Sequence, residues 1–528
     1  MSGRRGRGAG VLAMGVVAVA AALLVTGTPV VGIEAAGAGS PRDASLVVRA
    51  PAGALHGAGE GRAQRFLGIP FAAPPVGALR FRRPVPPARW KGVRDASRFG
   101  PACPQLASTN GPGSTNEDCL YLNVYRPARA SRRPLPVLFW IHGGSFLNGT
   151  ASQFDASTLA STTGTIVVTT NYRLGVFGSL VLPSLDQESP DHASGNEGIL
   201  DQQAALHWVQ RNIGAFGGAR DDVTIAGQSA GGGSVCAHLA SPTVRGLFAR
   251  AVIESGALCT APTHADASTA GTAFAGALGC ANATTASTCL RAKDVTTLLT
   301  APDAPPNGAV VGGTVLPAQP RTAIEAGRWN RVPVLIGANH DELRVLALGA
   351  GNPGTAAGYA QALQGLFGAA APKVAAAYPV GPAYPTPLLA LGAVYSDFTL
   401  ICGTYEMENV FAPRTPTYAY EFDDPNAPPQ FLIPGFSWGA YHTGEVPYLF
   451  GYTTAVPLST VQRGLSQQMM RYWAAFARTG RPRVDDAVRW PRYDTTTTRV
   501  LSLRPNDNRV ITDFGTEHHC ALWQSLGV

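Results

Sequence analysis

The stretch from Phe216 to Gly231, which reads FGGARDDVTIAGQSAG, constrains the fold more than any other part of the chain. Its apolar run from Val223 to Ala226 predicts a buried strand, and the small residues that follow predict a helix. A tight strand-to-helix turn of the form GxSxG holds a serine clear of the sheet edge as a nucleophile. Gly227 and Gly231 allow backbones to pass closely in such a turn. The sequence therefore predicts that Ser229 is a nucleophile.

The five-residue motif is weak evidence when it stands alone. In a chain with 61 glycines, GxSxG is expected by chance in about one chain in three. A glycine-rich turn without a chemical role is therefore the alternative until the flanking residues are considered. The residues before the motif make it longer and therefore less probable by chance. Residues 216–231 contain, in order, FGG, the aliphatic positions of the strand and GxSAG.

Two further motifs stand before this stretch: GIPFAAPPVGALRF at residues 68–81 and EDCLYLNV at residues 117–124. Together with residues 216–231 they resemble the signatures of the type-B carboxylesterase and cholinesterase family of α/β-hydrolases. The resemblance implies an α/β fold with a large, mostly parallel central sheet flanked by helices, N-terminal antiparallel strands, and insertions that cover the active site. Residues 262–330 and 346–435 are rich in Ala, Gly and Pro, and we interpret them as these insertions.

The first 38 residues predict a secretory signal peptide. An arginine-rich start precedes an apolar run from Val11 to Val25, and small residues that fit an AxA cleavage site end at Ala38. The apolar run is short for a membrane span, so export with cleavage is favoured over an uncleaved anchor, and the general and twin-arginine routes both stay open. We expect a secreted, monomeric protein without a stable membrane anchor, in which residues 39–528 form a single α/β-hydrolase domain.

The formal charge of +7 comes almost entirely from arginine, since only three lysines occur. No basic run is found outside the first residues, so a nucleic-acid partner is not expected. The basic side chains are interpreted as a solvated surface.

Eight cysteines in an exported chain can form four disulfides, and sequence alone allows 105 pairings. The family resemblance implies three bridges: Cys103 with Cys119, Cys280 with Cys289, and Cys402 with Cys520. Cys236 and Cys259 remain, and they could meet near the sheet edge to form a fourth. No CxxC spacing occurs, so neither a zinc site nor a thioredoxin-like dithiol is predicted.

A glycine-rich loop after a second buried strand completes the acyl-transfer chemistry. Residues 136–141, PVLFWI, are continuously apolar, as in a strand buried on both faces of a parallel sheet. Backbone N–H groups in the loop that follows can stabilise negative charge on a carbonyl oxygen. We therefore predict an oxyanion hole formed by the amides of Gly144, Ser145 and Ala230. Many members of the family carry a third glycine where this chain has Ser145, whose side chain would narrow the pocket.

A serine nucleophile needs a histidine as base and a carboxylate to orient the ring. In α/β-hydrolases these follow in the order nucleophile, acid, histidine. Asp341 and Glu342 come just after a strand-like run at residues 332–338. The resemblance to the family's Asp-Glu-Gly segment selects Glu342, with Asp341 as the lesser candidate and Leu343 in place of the glycine.

The base is predicted from the context of one of the ten histidines. His442 lies in WGAYHTGEVPYLFG, which resembles the family's histidine loop, with Thr443 standing between the histidine and Gly444. The predicted triad is therefore Ser229, Glu342 and His442.

The resemblance implies hydrolysis of a small-molecule carboxylic ester through a covalent acyl-enzyme, with no metal or organic cofactor. Gln228 stands where cholinesterase-like members carry a glutamate, which disfavours a cationic substrate. Neutral esters of short to medium acyl length are expected. Two alternatives stay open: a lipase or a hydrolase of bulky natural esters on the same fold, and a non-catalytic binding member of the family, which the filled triad positions disfavour.

Overall fold

A computed structural model describes residues 46–108, 111–256, 259–302, 304–349 and 354–527. The predicted signal peptide, residues 1–38, lies outside these residues. The strands are β1 (Val47–Ala50), β2 (Gly53–His56), β3 (Ala58–Glu60), β4 (Ala63–Pro70), β5 (Val93–Asp95), β6 (Tyr121–Pro127), β7 (Leu135–Ile141), β8 (Ile166–Thr170), β9 (Gly218–Gln228), β10 (Arg250–Glu254), β11 (Val334–Asn339), β12 (Thr417–Phe422), β13 (Val500–Leu503) and β14 (Arg509–Ile511).

The helices in the same parts of the chain are α1 (Ser157–Thr163), α2 (Gly175–Ser179), α3 (Pro183–Glu188), α4 (Glu197–Asn212), α5 (Ala230–Ala240), α6 (His264–Ala277), α7 (Ala286–Arg291), α8 (Val295–Thr300), α9 (Pro320–Glu325), α10 (Leu346–Gly349), α11 (Ala356–Phe367), α12 (Ala371–Ala377), α13 (Pro387–Ser396), α14 (Cys402–Phe411), α15 (Val446–Leu449), α16 (Thr460–Thr479), α17 (Phe514–Glu517) and α18 (Cys520–Leu526).

Eleven strands form one sheet in the order β14-β13-β12-β11-β10-β9-β7-β8-β6-β4-β3. Each neighbouring pair from β13 to β8 is parallel. The pairs at both edges are antiparallel, and β1, β2 and β5 form a separate small sheet. The predicted fold class, a mostly parallel sheet with N-terminal antiparallel strands, is confirmed.

The central strands are apolar at nearly every position because the sheet is covered on both faces. In β7, Val137, Phe139 and Ile141 belong to one hydrophobic core, whereas Leu138 and Trp140 belong to another. The first core includes side chains of α4, α5 and α14, and the second includes side chains of α1 and α16. A strand that is buried on both faces reads as a continuous apolar run.

The order of the strands reverses at β7. Its neighbours are β8 on one side and β9 on the other. The strand that follows β7 in the chain therefore lies on one side of it, and the next strand lies on its other side. Ligands in open α/β sheets bind in the crevice outside the carboxyl ends of the strands at such a point. The loop after β7 and the turn after β9 both lie at this crevice.

The interpretation of residues 346–435 as an insertion is wrong in part. Helices α10 to α14 do separate β11 from β12, but β12 itself lies within this range and is a central strand between β11 and β13. All six of its residues, TYAYEF, are buried. Its aromatic residues and its buried Glu421 were overlooked because the surrounding composition is dominated by Ala, Gly and Pro.

Helices α13 and α14 form one continuous helical stretch, and α14 contributes to the first core. Helix α13 continues through a π-helical segment, Asp397–Ile401, into α14. By length and composition the whole stretch, Pro387–Phe411, could cross a membrane, and 56% of its most apolar window is buried inside the protein. The structure holds four disulfides: Cys103–Cys119, Cys236–Cys259, Cys280–Cys289 and Cys402–Cys520.

Candidate active site

Ser229 occupies the sharp turn that joins β9 to α5. Its backbone has φ 56° and ψ −122°, a conformation that non-glycine residues rarely adopt. The Ser229 amide donates a hydrogen bond to the carbonyl of Glu254 at 2.8 Å, which holds the turn against β10. A Cβ on Gly227 would lie 2.5 Å from the backbone of Gly231, and one on Gly231 would lie 2.0 Å from the Ile141 carbonyl. Both glycines are therefore required for this approach to β7.

The loop after β7 has an unusual backbone conformation. Gly144, Ser145 and Phe146 all have positive φ, and the Gly144 carbonyl accepts hydrogen bonds from the amides of Leu147 and Asn148 at 2.9 and 3.0 Å. No acceptor for the amides of Gly144, Ser145 or Ala230 is found among the described residues. These N–H groups are thus available to an oxygen anion.

Buried aromatic residues hold this loop in place. The His142 ring stacks on Tyr172 at 4.4 Å between ring centroids, and the Tyr172 hydroxyl donates to the His142 carbonyl at 2.7 Å. Burial lowers the pKa of His142 to about 4, despite the hydrogen bond from Nδ1 to the Gly143 carbonyl at 2.8 Å. His142 is consequently neutral, and its role is to fix the loop. A Cβ on Gly143 would lie 3.0 Å from the Ser229 Cβ, so the loop directly adjoins the serine.

Glu342 and His442 form a direct hydrogen bond. The His442 Nδ1 atom lies 2.5 Å from Glu342 Oε2, and the His442 amide donates to the Glu342 carbonyl at 2.8 Å. Glu342 is completely buried, and its Oε1 accepts the Asn339 amide at 2.9 Å. The other imidazole nitrogen, Nε2, lies 3.4 Å from the side-chain nitrogen of Gln228, the residue before Ser229. The imidazole therefore lies between the buried carboxylate and the turn that carries the serine.

Asp341, the lesser candidate for the acid, has different partners. One of its oxygens pairs with Arg344 and lies 3.2 Å from His340 Nδ1, and the other accepts the Ala440 amide at 2.9 Å. Asp341 thus links the loop after β11, which carries Glu342 and is called the acid loop below, to the loop that carries His442. Its neighbour Glu342 contacts the imidazole.

The environment of His442 makes its imidazole a stronger base. Burial lowers the pKa of His442, but the charge and hydrogen bond of Glu342, together with the charge of Glu445, raise it above the usual 6.5. A carboxylate on Nδ1 also fixes the tautomer in which Nε2 can accept a proton. The arrangement can activate a hydroxyl and stabilise the imidazolium that results.

The sequence matches the carboxylesterase family over residues 44–363 and 383–523. The chain belongs to the carboxylesterase family. It is 35% identical over 513 residues to the para-nitrobenzyl esterase of Bacillus subtilis, covering 91% of this chain and 99% of that protein. The fumonisin B1 esterase of Sphingopyxis macrogoltabida is 35% identical over 474 residues, covering 86% and 85%. The acylcarnitine hydrolase of Mus musculus is 35% identical over 468 residues, covering 81% of each chain.

These findings confirm the family resemblance and the prediction of an enzyme. The protein is a carboxylic ester hydrolase, which removes the alternative of a non-catalytic binding member.

The carboxylesterase keeps two further carboxyl groups fully buried near the imidazole. Glu445 Oε2 accepts the side-chain amide of Asn339 at 2.5 Å. Burial, reinforced by the charge of Glu342, raises the pKa of Glu445 to about 7. Glu254 accepts the Trp473 indole N–H at 2.7 Å, and burial with the charge of Glu445 raises its pKa well above the usual value. Neither glutamate was predicted, although Glu445 lies within the histidine motif, three residues after His442.

An apolar loop adjoins the histidine loop of this carboxylesterase. Gln430 donates from its side-chain nitrogen to Thr443 Oγ1 at 3.0 Å. Thr443, which stands between His442 and Gly444, has a positive φ of 75°. The Phe431 ring lies 5.0 Å from the Trp438 ring. Leu432 between them in the chain is 71% exposed. The loop therefore presents apolar surface beside the site.

Proposed function

We propose that this carboxylesterase cleaves its ester through a covalent acyl-enzyme formed on Ser229, with His442 as general base and acid and Glu342 as the orienting carboxylate. The observation that carries the proposal is the 2.5 Å contact between His442 Nδ1 and Glu342 Oε2, next to the strained turn at Ser229. A carboxylate, an imidazole and a serine hydroxyl in this arrangement are the parts that nucleophilic acyl transfer needs.

The steps follow from proton transfer at Nε2. The imidazole takes the proton of the Ser229 hydroxyl as its oxygen attacks the ester carbonyl, and the oxygen anion that forms accepts the amides of Gly144, Ser145 and Ala230. His442 then gives the proton to the departing alcohol, which leaves the acyl group on Ser229. A water molecule, deprotonated by the same imidazole, attacks the acyl-enzyme, and the carboxylic acid departs as the serine regains its proton.

The substrate is proposed to be a neutral ester of short to medium acyl length. Gln228 is 3% exposed and carries no charge beside His442 Nε2, so the site offers a cationic ester no carboxylate at this position. The relatives are named for hydrolysis of a para-nitrobenzyl ester, fumonisin B1 and acylcarnitine, which indicates that substrate choice varies widely within the family.

A second candidate is the hydrolysis of bulky apolar esters, favoured by the exposed Leu432 and by Phe431 beside the histidine loop. Rates on short nitrophenyl esters and on emulsions of long-chain esters separate the two candidates. A preference for emulsions would favour the second.

We further propose a secreted monomer in which residues 39–528 form one domain and no membrane anchor remains after export. The four disulfides support an oxidising compartment, because such bridges persist outside the reducing cytosol.

The nucleophile is tested by Ser229→Ala, compared as the matched control with Ser161→Ala, which changes a half-buried serine of α1 outside the proposed triad. We expect Ser229→Ala to lower kcat by at least about 10⁴-fold, with unchanged secretion and thermal midpoint, while the control keeps full activity. Mass spectrometry after mixing with a nitrophenyl ester should detect an acyl group on the wild-type chain only. Activity near the wild-type level in Ser229→Ala would refute the assignment.

A further inference from the structure

A cluster of histidine and acidic side chains lies where the C-terminal segment meets β12 and the start of the acid loop. His340, Glu421 and His518 each contribute one nitrogen or oxygen atom that could hold a metal ion, and these atoms lie within 4.8 Å of one another. Glu421 and His518 are buried, whereas the His340 side chain is 32% exposed. The proposed esterase machinery uses none of these three residues.

His518 has the orientation of a metal-ligating histidine. Its Nδ1 lies 2.7 Å from Asp397 Oδ1, and its Nε2 lies 2.8 Å from Glu421 Oε1. Histidine ligands usually donate their second ring N–H to a carboxylate, which fixes the tautomer and the direction of the ring. Asp397, in the π-helical segment, can serve this purpose, and Nε2 is then directed at Glu421.

Both ring nitrogens of His340 also face carboxylate oxygens. Its Nδ1 lies 3.2 Å from Asp341 Oδ1, and its Nε2 lies 3.4 Å from Glu517 Oε1. The rings of His340 and His518 are 5.1 Å apart. Two imidazole nitrogens and one oxygen of Glu421 are three donors of the kind that Zn²⁺ accepts, and Glu517 pairs with His340 beside this group.

The surroundings of the cluster contain buried polar groups that lack a partner among the described residues. Glu408 on α14 is fully buried, and neither of its carboxyl oxygens has a partner there. Glu408 lies close enough to Glu421 and His518 to interact electrostatically with both. Ser502, opposite Glu421 in the neighbouring strand, likewise buries a hydroxyl for which the described part of the chain provides no partner. Buried acids and hydroxyls in excess favour a bound cation.

We propose that the protein binds one divalent transition-metal ion through His340, His518 and Glu421. The exposed fractions of His340 (32%) and of its neighbour Glu517 (47%) provide a route of entry from solvent. Three protein ligands would leave the fourth position of a tetrahedral site to a water molecule. It would also fix the loop at His340, two residues before Glu342.

The test uses the full secreted chain without a histidine tag, freed of metal with a chelator and titrated with ZnCl₂ by calorimetry. We expect one Zn²⁺ per chain. His340→Gln removes a partly exposed ligand, Glu517→Gln removes the carboxylate that pairs with this histidine, and each should weaken binding at least about ten-fold. His207→Gln, at an exposed histidine on α4, is the control and should bind Zn²⁺ as tightly as the wild type.

A second measurement separates this site from adventitious surface binding. Saturating Zn²⁺ should raise the thermal midpoint of the wild type and of His207→Gln by about 2–4 °C, and should raise that of His340→Gln clearly less. Failure of the wild type to bind one Zn²⁺, or equal affinity in His340→Gln, would overturn the proposal and would mean that protons alone balance the acids. Neither readout depends on esterase activity.

Discussion

The groups around the His442 ring set its basicity. Burial opposes protonation, while the charge and hydrogen bond of Glu342 and the charge of Glu445 favour it strongly enough to raise the pKa above 6.5. At Nε2, the uncharged side-chain amide of Gln228 lies 3.4 Å away. Because the imidazole must be neutral to accept the serine proton, a raised pKa moves the acid side of the activity profile to higher pH.

Replacing Gln228 by glutamate should move that profile further. A carboxylate about 3–4 Å from Nε2 stabilises the imidazolium, so the acid midpoint of kcat/KM should rise by about one pH unit. The same charge should raise activity on choline esters relative to neutral esters of equal size. The measurement is a pH–rate profile of wild type, Gln228→Glu and Gln228→Ala, the last of which removes the amide without adding charge. Equal shifts in both variants would contradict this account.

Glu445 should make the stability of the protein depend on pH. Its folded-state pKa of about 7 lies above the usual value near 4.5. Its favourable contribution to the free energy of unfolding is therefore complete below about pH 4.5 and is lost as the pH rises through 7. Above pH 7 the buried charge costs up to about 3 kcal/mol. Glu445→Gln stays neutral, so its thermal midpoint should match the wild type at pH 5 and exceed it at pH 9.

The control for this comparison is Glu325→Gln, a substitution at a side chain that is 40% exposed. It should follow the wild-type pH dependence throughout. If the thermal midpoints of Glu445→Gln and the wild type differ by the same amount at every pH from 5 to 9, the buried carboxyl group of Glu445 is not the source of the pH dependence.

Among the elements, those with a local signal were predictable. The strand before Ser229, the apolar β7 and the turn between β9 and α5 each carry their pattern within about fifteen residues, and the structure has them where the sequence indicated. Strand β12 was missed because its six residues include Glu421, whose burial depends on a partner far along the chain. His518, which contacts Glu421, lies 97 residues away.

The same reasoning explains which side chains around the site were found. Glu342 and His442 were identified from motifs, because each loop follows a recognisable strand or aromatic segment. Asn339 and Glu445 are 106 residues apart, and their contact arises only when the loops after β11 and before α15 meet. The cluster of His340, Glu421 and His518 carries no sequence motif for a related reason, because its residues come from three separate parts of the chain.

The disulfides are expected to stabilise their elements according to the length of chain that each encloses. Cys402–Cys520 joins α14 to α18 across 118 residues, whereas Cys280–Cys289 spans only 9. In the chain-entropy account the longer loop contributes about 2 kcal/mol more. We expect the double serine variant of Cys402 and Cys520 to lower the guanidinium midpoint clearly more than that of Cys280 and Cys289. Equal losses would contradict the loop-length explanation.

For the whole molecule, the compartment and the fold depend on each other. Four disulfides use all eight cysteines, and Cys236–Cys259 fastens α5, the helix that begins at the proposed oxyanion amide of Ala230, to the segment after β10. A chain that folds in a reducing cytosol would lack these constraints. The proposed export would therefore bring the chain to a compartment in which these four bridges can form.

Two forms of the protein test this link: the full chain, and a chain without residues 1–38 produced in the reducing cytosol. We expect the exported form to begin at Gly39 by N-terminal sequencing and to contain no free thiol. The cytosolic form should have a thermal midpoint lower by more than about 5 °C, because four missing bridges together remove several kcal/mol, and oxidation after purification should restore it. An exported form that retains residues 1–38 would show an uncleaved anchor, and equal midpoints in both forms would show that the disulfides are dispensable.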